Sequence, residues 1–328
     1  MTMSLPEAVS AFSPSLPLGI AFSGGADSTA LLHASALKWP GQVVALHINH
    51  GLQAAAADFQ RHCERVCAEI HVPLRVLSVN AAGAAGQSPE DAARNARYAG
   101  ILSLCLPHNG IGAIHSVALA QHADDQIETL LLALSRGAGL AGLAAMPAQW
   151  MREGVLFYRP LLKVSAISVR SWLAERHIGF IEDPTNLDEK FTRNRIRARL
   201  LPVLEEVFPQ FRDTFARSSS HAAQAQELLD ELAQGDFNTV RGEGADGTGG
   251  TEPSSPMISR LQTLGRAAQG NALRFWLKTR HKTVPSTAQL QELQDQIQAC
   301  TTRGHHIHIK IGAGFVQRIG DRLAWYNP

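Results

Sequence analysis

A glycine-rich stretch near the start of the chain, SGGADS at residues 23–28, has the composition of a phosphate-binding turn. Glycine lets the backbone curl tightly, and the N–H groups at the start of a helix attract an anion. Ser23 and Ser28 add hydroxyl donors. No lysine follows Gly25, so the stretch is not a Walker loop, and it does not fit G-x-G-x-x-G. The simpler alternative is a strand-to-helix turn in which Asp27 or Ser28 caps the helix.

A pair of acids, Asp125 and Glu128, stands three residues apart in HADDQIETLLLALSRGAGL, residues 122–140. On a helix, that spacing puts both carboxylates on one face. Two carboxylates on one face can hold Mg²⁺ or the ammonium group of a substrate. The alternative is that they are first-turn acids that stabilise the helix dipole, a role that would suffice for Asp124.

Arginines cluster in two places. ARNARY, residues 93–98, puts Arg94 and Arg97 on one helical face, where a planar guanidinium suits phosphate. KFTRNRIRARL, residues 190–200, has no acid between its basic residues, which favours contact with nucleic-acid phosphates. For any single arginine, the alternative is a solvated helix face. The basic residues of the second stretch are Lys190, Arg193, Arg195, Arg197 and Arg199.

Strands that alternate with helices must position these residues in the first half of the chain. Apolar runs rich in valine and isoleucine predict strands at 18–22, 41–50, 73–79 and 112–119. Helical spacing lies between and after them, at 28–38, 56–70, 88–106 and 124–135. This alternation predicts an α/β fold with a doubly wound, mostly parallel sheet. Ligands of such sheets bind at the carboxyl ends of the strands, where the strand order reverses.

The second half has a different pattern. Helical spacing recurs at 165–176, 195–235, 258–280 and 287–299, and alternation at 306–326 predicts a small β-meander. Residues 241–256 are rich in Gly, Ser and Pro, which predicts a flexible insertion. We therefore expect a catalytic domain at 1–215 and a smaller, mainly helical domain at 216–328.

Composition narrows the class of protein. The chain has 328 residues and a net charge of +1, so nucleic-acid binding would depend on local basic patches. Its four cysteines form no C-x-x-C pair and lack partners at zinc spacing. The N-terminus has no basic residue before its apolar stretch, and no apolar run is long enough to span a membrane. We expect a reduced, cytoplasmic protein that does not enter a membrane.

Several motifs in order resemble one family. SGGADS after a buried strand resembles the loop of N-type ATP pyrophosphatases, the PP-loop family. The chain from about 18 to 208 is similar to tRNA(Ile)-lysidine synthetases, and the C-terminal part resembles their first tRNA-binding domain more loosely. The motifs that carry the resemblance are SGGADS, LHINHGL, AARNARY, QHADDQIETLLLALSRGAGLAGLAAM, YRPLL and EDPTNLDEKFTRNRIRARLLPVLE.

The resemblance implies a two-step reaction. ATP adenylates the C2 carbonyl oxygen of the wobble cytidine in the CAU anticodon of tRNA(Ile), and pyrophosphate leaves. Free L-lysine then displaces AMP and forms lysidine. The family also suggests a homodimer.

The resemblance also implies roles for particular residues. Asp27 would support Mg²⁺ on the triphosphate, and Asp125 with Glu128 would bind lysine, one of them as a base. Arg97 joins Asp27 and these two acids as catalytic, and Arg193 and Arg195 are implied to reach the cytidine or the ATP. The loop residues that would bind ATP are Ser23, Gly24, Gly25, Ala26, Asp27 and Ser28. The residues that would bind tRNA are Arg193, Arg195, Arg197 and Arg199.

Three other functions compete with this one. Sulfur-inserting tRNA enzymes share the loop, but they generally need cysteines at defined spacing, which are not evident here. NAD and GMP synthetases use it on small molecules, whereas the basic stretch at 190–200 favours a larger substrate. A nucleotide-sensing or tRNA-binding protein without catalysis is the third possibility.

Overall fold

The computed structural model describes residues 3–49, 56–79, 89–108, 110, 112–242, 255–302 and 304–328. The NHGL end of one motif, the predicted helix start at Ser88 and positions 243–254 of the predicted insertion fall wholly or partly outside these residues. The chain divides into two compact units, Met1–Ala222 and Ala223–Pro328. This division lies inside a long helix, whereas the sequence analysis placed a boundary near residue 215.

The first unit is built on a six-stranded sheet of order β3-β2-β1-β4-β6-β5, in which every neighbouring pair except β5–β6 is parallel. The predicted fold class, a doubly wound and mostly parallel α/β sheet, is confirmed. The strands are β1 (Leu18–Ala21), β2 (Val43–Asn49), β3 (Leu74–Ser78), β4 (Ser116–Ala118), β5 (Gln149–Arg152) and β6 (Val155–Tyr158).

The order of the strands reverses between β1 and β4. Leu18 of β1 is in register with Val43 of β2 on one side and with Ser116 of β4 on the other. The chain therefore builds outwards from β1 in one direction and returns to the other side of it for β4. The loops after β1 and β4 leave the sheet at neighbouring carboxyl ends, where such folds bind ligands.

Both faces of the sheet are buried, which explains the near-continuous apolar runs of its strands. Leu18 and Ile20 belong to one apolar cluster, and Val44 and Leu46 belong to a second. The helices of this unit are α1 (Leu5–Ala11), α2 (Ala26–Lys38), α3 (Ala56–Glu69), α4 (Pro89–Leu104), α5 (Ala123–Ser135), α6 (Leu140–Leu143), α7 (Ala166–Glu175), a 3₁₀ helix (Pro184–Leu187), α8 (Thr192–Arg195), a π-helix (Ile196–Leu200), α9 (Leu201–Val207) and the first part of α10 (Phe211–Val240).

The helix predicted at 195–235 was wrong as one continuous element. It consists of the end of α8, the π-helix, α9 and most of α10. Proline accounts for the interruptions, because Pro202 stands in the first turn of α9 and Pro209 lies between α9 and α10. A small apolar cluster still packs these pieces against α5. Its buried members are Ile127, Ile196, Leu201 and Phe211.

The second unit has its own core around Trp276, which is fully buried. The helix predicted at 258–280 is two helices, separated before Gly265, and the predicted meander is an antiparallel sheet of order β7-β8-β9. Apart from the end of α10, its elements are α11 (Ile258–Leu261), α12 (Arg266–His281), α13 (Thr287–Ala299), β7 (His308–Ile311), β8 (Gly314–Ile319) and β9 (Arg322–Tyr326). Among the helices described, none is long and apolar enough to cross a lipid bilayer.

Candidate active site

The SGGADS turn connects β1 to α2. Gly24 has a φ of +84°, a conformation that favours glycine, and a Cβ built there would lie 3.2 Å from both Cys63 Sγ and His62 Cδ2. Gly25 is the N-cap residue of α2, and no side chain caps the helix. Neither Asp27 nor Ser28 therefore fills the capping role of the simpler alternative. The first N–H groups of α2 thus have no side-chain cap, which is the arrangement that suits an anionic ligand.

Two serines fix the shape of the turn. Ser28 Oγ donates to the Gly25 carbonyl oxygen at 3.1 Å and accepts from the Ser23 backbone N–H at 3.2 Å. The hydroxyls of Ser23 and Ser28 are 3.0 Å apart. Ala26 and Ser28 are buried, whereas Ser23 is exposed. The turn is thus held in one conformation by its own side chains.

The acid pair lies in the first turns of α5, as its spacing predicted. His122 is the N-cap residue of this helix and forms a reciprocal capping pair with Asp125. The His122 backbone N–H donates to Asp125 Oδ2 at 3.0 Å, and the Asp125 backbone N–H donates to His122 Nδ1 at 3.4 Å. Since Nδ1 accepts this bond, the proton of a neutral His122 resides on Nε2.

His122 joins the two predicted parts of the site, and the sequence analysis missed it. Its Nε2 lies 3.7 Å from Asp27 Oδ2, and its Nδ1 lies 3.5 Å from Asp125 Oδ2. The imidazole is buried. Its position in the sequence could have identified it, because His122 lies in the loop after β4 and immediately precedes the acids of α5.

Asp124 has a structural role that goes beyond the helix dipole. It is 4% exposed and accepts two hydrogen bonds, from the Ala166 backbone N–H at 2.8 Å and from Arg212 Nε at 2.7 Å. These bonds connect the start of α5 with the start of α7 and the start of α10.

Glu128 is fully buried and faces two arginines. Arg197 Nε donates to Glu128 Oε1 at 2.8 Å, and Arg197 Nη2 donates to Asp125 Oδ1 at 3.3 Å. Arg193 Nη1 lies 3.8 Å from Glu128 Oε2. Within the described part of the chain, Oε2 itself accepts no hydrogen bond. Burial raises the pKa of the Glu128 carboxyl, and the neighbouring Arg197 opposes that rise.

The pKa of Asp27 is also raised. Loss of surrounding water is the main cause, and the nearby Asp125 carboxylate adds to it, while His122 acts in the opposite direction. The Asp27 side chain remains 41% exposed, so it faces the crevice rather than the core. A cation beside it would relieve the repulsion between the two acids.

The basic stretch at 190–200 does not form one uniform surface. Arg195 donates to the Glu189 carbonyl oxygen and to Thr192 Oγ1, both at 2.9 Å, and Arg199 forms an ion pair with Glu189. Arg193 and Arg197 instead face the carboxylates of α5. The four arginines predicted to bind tRNA are therefore divided into two sets with different surroundings.

The structure places Arg94 and Arg97 as exposed residues on α4. The next residue, Tyr98, packs against Phe157 and receives a hydrogen bond of 3.5 Å from Arg159 Nη2. Arg159 directly follows β6, donates to the Gln121 side chain at 3.1 Å, and is buried. Through Tyr98 and Arg159, α4 is connected to the loop after β4. The catalytic role of Arg97 stays a prediction.

Comparison with known proteins agrees with this fold. A family model described as a PP-loop domain matches residues 5–204, and a second, described as the TilS substrate binding domain, matches residues 257–323. The U34-tRNA thiolase NcsA of Methanococcus maripaludis shares the fold, with a TM-score of 0.54 and 13% identity over 66% of this chain and 77% of its own. The glycine turn, the parallel sheet and the family model thus define a PP-loop protein.

Two curated relatives narrow this class. A tRNA(Ile)-lysidine synthase of Polaromonas naphthalenivorans is 55% identical over 95% of this chain and 90% of its own. One of Burkholderia pseudomallei is 37% identical over 98% of this chain, which spans 64% of that relative. The chain belongs to the tRNA(Ile)-lysidine synthase family.

Proposed function

We propose that this chain uses ATP to join free L-lysine to C2 of the wobble cytidine in the CAU anticodon of tRNA(Ile). The cytidine C2 carbonyl oxygen attacks the α-phosphate, an O–P bond forms, and pyrophosphate leaves. The ε-amine of lysine then attacks C2, the C2–O bond breaks, AMP leaves with the oxygen, and the amine gives up a proton. The observation that carries this proposal is that His122 joins the glycine turn to the acid pair.

The glycine turn suits the departing pyrophosphate. Negative charge grows on the β and γ phosphates as the bond to the α-phosphate breaks, and fixed N–H and hydroxyl donors stabilise it. The uncapped start of α2 provides such N–H groups, and Ser23 provides an exposed hydroxyl. We therefore assign Ser23, Gly24, Gly25, Ala26, Asp27 and Ser28 to ATP.

Asp27 is the residue we assign to Mg²⁺. Magnesium is usually held by one or two carboxylates together with substrate phosphates, and it neutralises charge on those phosphates. The raised pKa of Asp27 and its position facing the crevice fit a carboxylate that shares a cation with the triphosphate. Among the described residues, no group of three or more potential ligands is assembled, which agrees with a site completed by the substrate.

The acid pair suits the lysine. A buried ammonium group needs acceptors with negative charge, and Glu128 Oε2 is a buried acceptor to which no described residue donates. Asp125 lies beside Glu128 on α5 and is held by His122 at 3.5 Å and by Arg197 at 3.3 Å. We assign lysine binding to Asp125 and Glu128, one of which accepts the proton that the amine loses.

The remaining parts of the proposal concern tRNA. Arg195 and Arg199 contact residues 189–192 and not the carboxylates of α5. We therefore assign these two arginines to binding of the RNA backbone. The match of residues 257–323 to a substrate binding domain supports a tRNA-binding role for the second unit. A homodimer and a cytoplasmic location remain expectations of this proposal.

One assay tests the proposal directly. Pyrophosphate release is measured with ATP and Mg²⁺, with and without a tRNA(Ile) transcript that bears the CAU anticodon. The tRNA is then digested, and the masses of its nucleosides are determined by mass spectrometry. We expect release that requires this tRNA, and a cytidine that gains lysine only when lysine is present. Release without tRNA, or a product that contains sulfur, would reject the proposal. A methionine tRNA transcript is the matched control and should not react.

A further inference from the structure

Arg197 lies in the only part of the described chain that forms a π-helix, Ile196–Leu200. Single π-turns inside α-helices occur frequently at functional sites. Here the turn is anchored by the buried Ile196 and Leu201, which pack with Ile127 of α5. The anchor brings Arg197 onto the face of α5 that carries the acid pair.

The contacts of Arg197 differ from those of an RNA-binding arginine. Its side chain is 42% exposed, yet its guanidinium donates to both Glu128 and Asp125 rather than pointing freely into solvent. Two of the five N–H donors of this guanidinium are engaged by carboxylates, and these negative charges already balance its positive charge. The charged groups that face Glu128 are Asp125 from α5 itself, Arg193 from α8 and Arg197 from the π-helix.

Glu128 needs such a partner. A fully buried carboxyl beside a second carboxylate would take up a proton, and a neutral Glu128 would attract an ammonium group poorly. Arg197 bonds Oε1, whereas Oε2 accepts no hydrogen bond from a described residue and has Arg193 Nη1 at 3.8 Å. One oxygen is thus fixed in place while the other is presented as an acceptor.

We propose that Arg197 is a positioning residue for the lysine substrate, which holds Oε1 of Glu128 in place and so directs Oε2 towards the ammonium group. This inference rests on the proposed function of the site. It assigns Arg197 to lysine selection rather than to the RNA surface. Arg195 and Arg199, two residues to either side, keep the assignment to the RNA backbone.

The test measures the lysine KM, the ATP KM, kcat and the affinity for tRNA in the full chain. For Arg197→Gln we expect a lysine KM raised on the order of 10-fold or more, while the ATP KM and the tRNA affinity stay within about twofold. Arg61→Gln removes one positive charge from an exposed pair with Asp58 on α3, and it is the matched control. It should leave all four quantities unchanged.

A double-mutant cycle separates action through Glu128 from an independent role. Glu128→Gln combined with Arg197→Gln should raise the lysine KM no further than Glu128→Gln alone. Arg197→Lys keeps the charge but lacks the planar fork that bonds the two carboxylates from fixed positions, so its lysine KM should lie between wild type and Arg197→Gln. If Arg197→Gln does not fold, the lysine KM and the tRNA affinity of Arg197→Lys alone test the inference.

Weakened tRNA binding with an unchanged lysine KM, in either Arg197 variant, would overturn this inference. So would strictly additive effects in the double mutant. Both outcomes leave the proposed function standing, because the wild-type chain would still release pyrophosphate with tRNA and lysine. If the wild type fails that assay, the proposed function fails first.

Discussion

His122 and Asp27 meet across the crevice at the carboxyl end of the sheet, with Nε2 of the imidazole 3.7 Å from Oδ2 of the carboxylate. The two residues belong to loops that leave neighbouring strands, β1 and β4. The other imidazole nitrogen is engaged with Asp125. One side chain therefore contacts both Asp27 and Asp125, and it connects the ends of the site that we assign to nucleotide and to amine.

Glu128→Gln should raise the lysine KM more than the ATP KM. The substitution removes the negative charge but keeps the size of the side chain. A hydrogen bond to a charged group contributes about 1.5–3 kcal/mol, so we expect a change on the order of 10- to 100-fold. Steady-state kinetics with lysine and ATP varied in turn measure both constants. Equal increases in the two would show that Glu128 does not select lysine.

Gly25→Ala should leave the fold intact and impair ATP use. Apart from its chain neighbours, its Cβ would come no closer than 3.6 Å to any residue that the structure describes, but it would stand beside the first N–H groups of α2. An obstruction at that place should raise the ATP KM on the order of 10- to 100-fold.

Gly24→Ala is the matched comparison. It should impair ATP use too, but strain at its positive φ should in addition lower the free energy of unfolding by about 1–2 kcal/mol. Thermal melting and ATP kinetics distinguish the two variants. Normal ATP kinetics in a folded Gly25→Ala variant would mean that the turn holds no phosphate.

Asp27→Ala should make tRNA adenylation depend on a higher Mg²⁺ concentration. If Asp27 shares the cation with the triphosphate, its loss leaves only the phosphates to hold the ion. Pyrophosphate release across a Mg²⁺ titration should shift to higher concentrations and reach a lower maximum. A titration curve that coincides with wild type would reduce Asp27 to a surface acid in the first turn of α2.

Asp124→Ala should destabilise the first unit by about 1–3 kcal/mol. The substitution leaves the Ala166 N–H without its acceptor and removes one of the two carboxylates that pair with Arg212, which keeps Glu205. Urea unfolding followed by circular dichroism measures the loss.

Glu182→Ala serves as the control. Its ion pair with Arg170 is exposed on both sides, so the free energy of unfolding should change by less than about 1 kcal/mol. Similar losses in the two variants would show that the Asp124 pair contributes no more than a surface contact.

The cysteines should not react in the folded protein. Burial raises the pKa of Cys63 and Cys67 to about 12 and that of Cys105 to about 11, and Cys300 is buried as well. Because a raised pKa keeps the thiol protonated, only about one Cys105 in a thousand is a thiolate at pH 8, and fewer for the other two. We expect negligible labelling by a disulfide reagent at pH 8 until denaturant is added. Rapid labelling of Cys63 or Cys67 would point instead to sulfur chemistry.

The sheet could be predicted from the sequence because its core strands are buried on both faces and carry continuous apolar runs. The hairpin of β5 and β6 was missed, since β5 lies at the edge and alternates between exposed and half-buried residues. Glu153 and Gly154 both have positive φ, the conformation of a tight hairpin turn, but a Glu-Gly pair is a weak signal for it. Helix α1, which begins at a capping box of Ser4 and Glu7, was also missed.

The acid pair could be predicted from spacing alone, because three residues on a helix return to the same face. The division of the arginines was missed, although the same reasoning applies. Residues two apart on a helix lie about 200° apart, so Arg193 and Arg195 must point to opposite sides. What no spacing could show is which side meets Glu128, because that depends on the packing of Ile196 and Leu201 against α5.

The π-helix makes the site depend on the number of residues in this stretch as well as on their identity. A π-turn accommodates a residue more than the α-helical path would need. Losing one codon between 198 and 200 would let the backbone relax into a plain helix in which Ile196 and the leucine now at 201 stand four residues apart, so both would stay on the face that packs with Ile127. One residue added to the same stretch would instead rotate α9 by about 100° and draw Leu201 out of its apolar contacts. A single in-frame insertion here should therefore be far less tolerated than a single in-frame deletion.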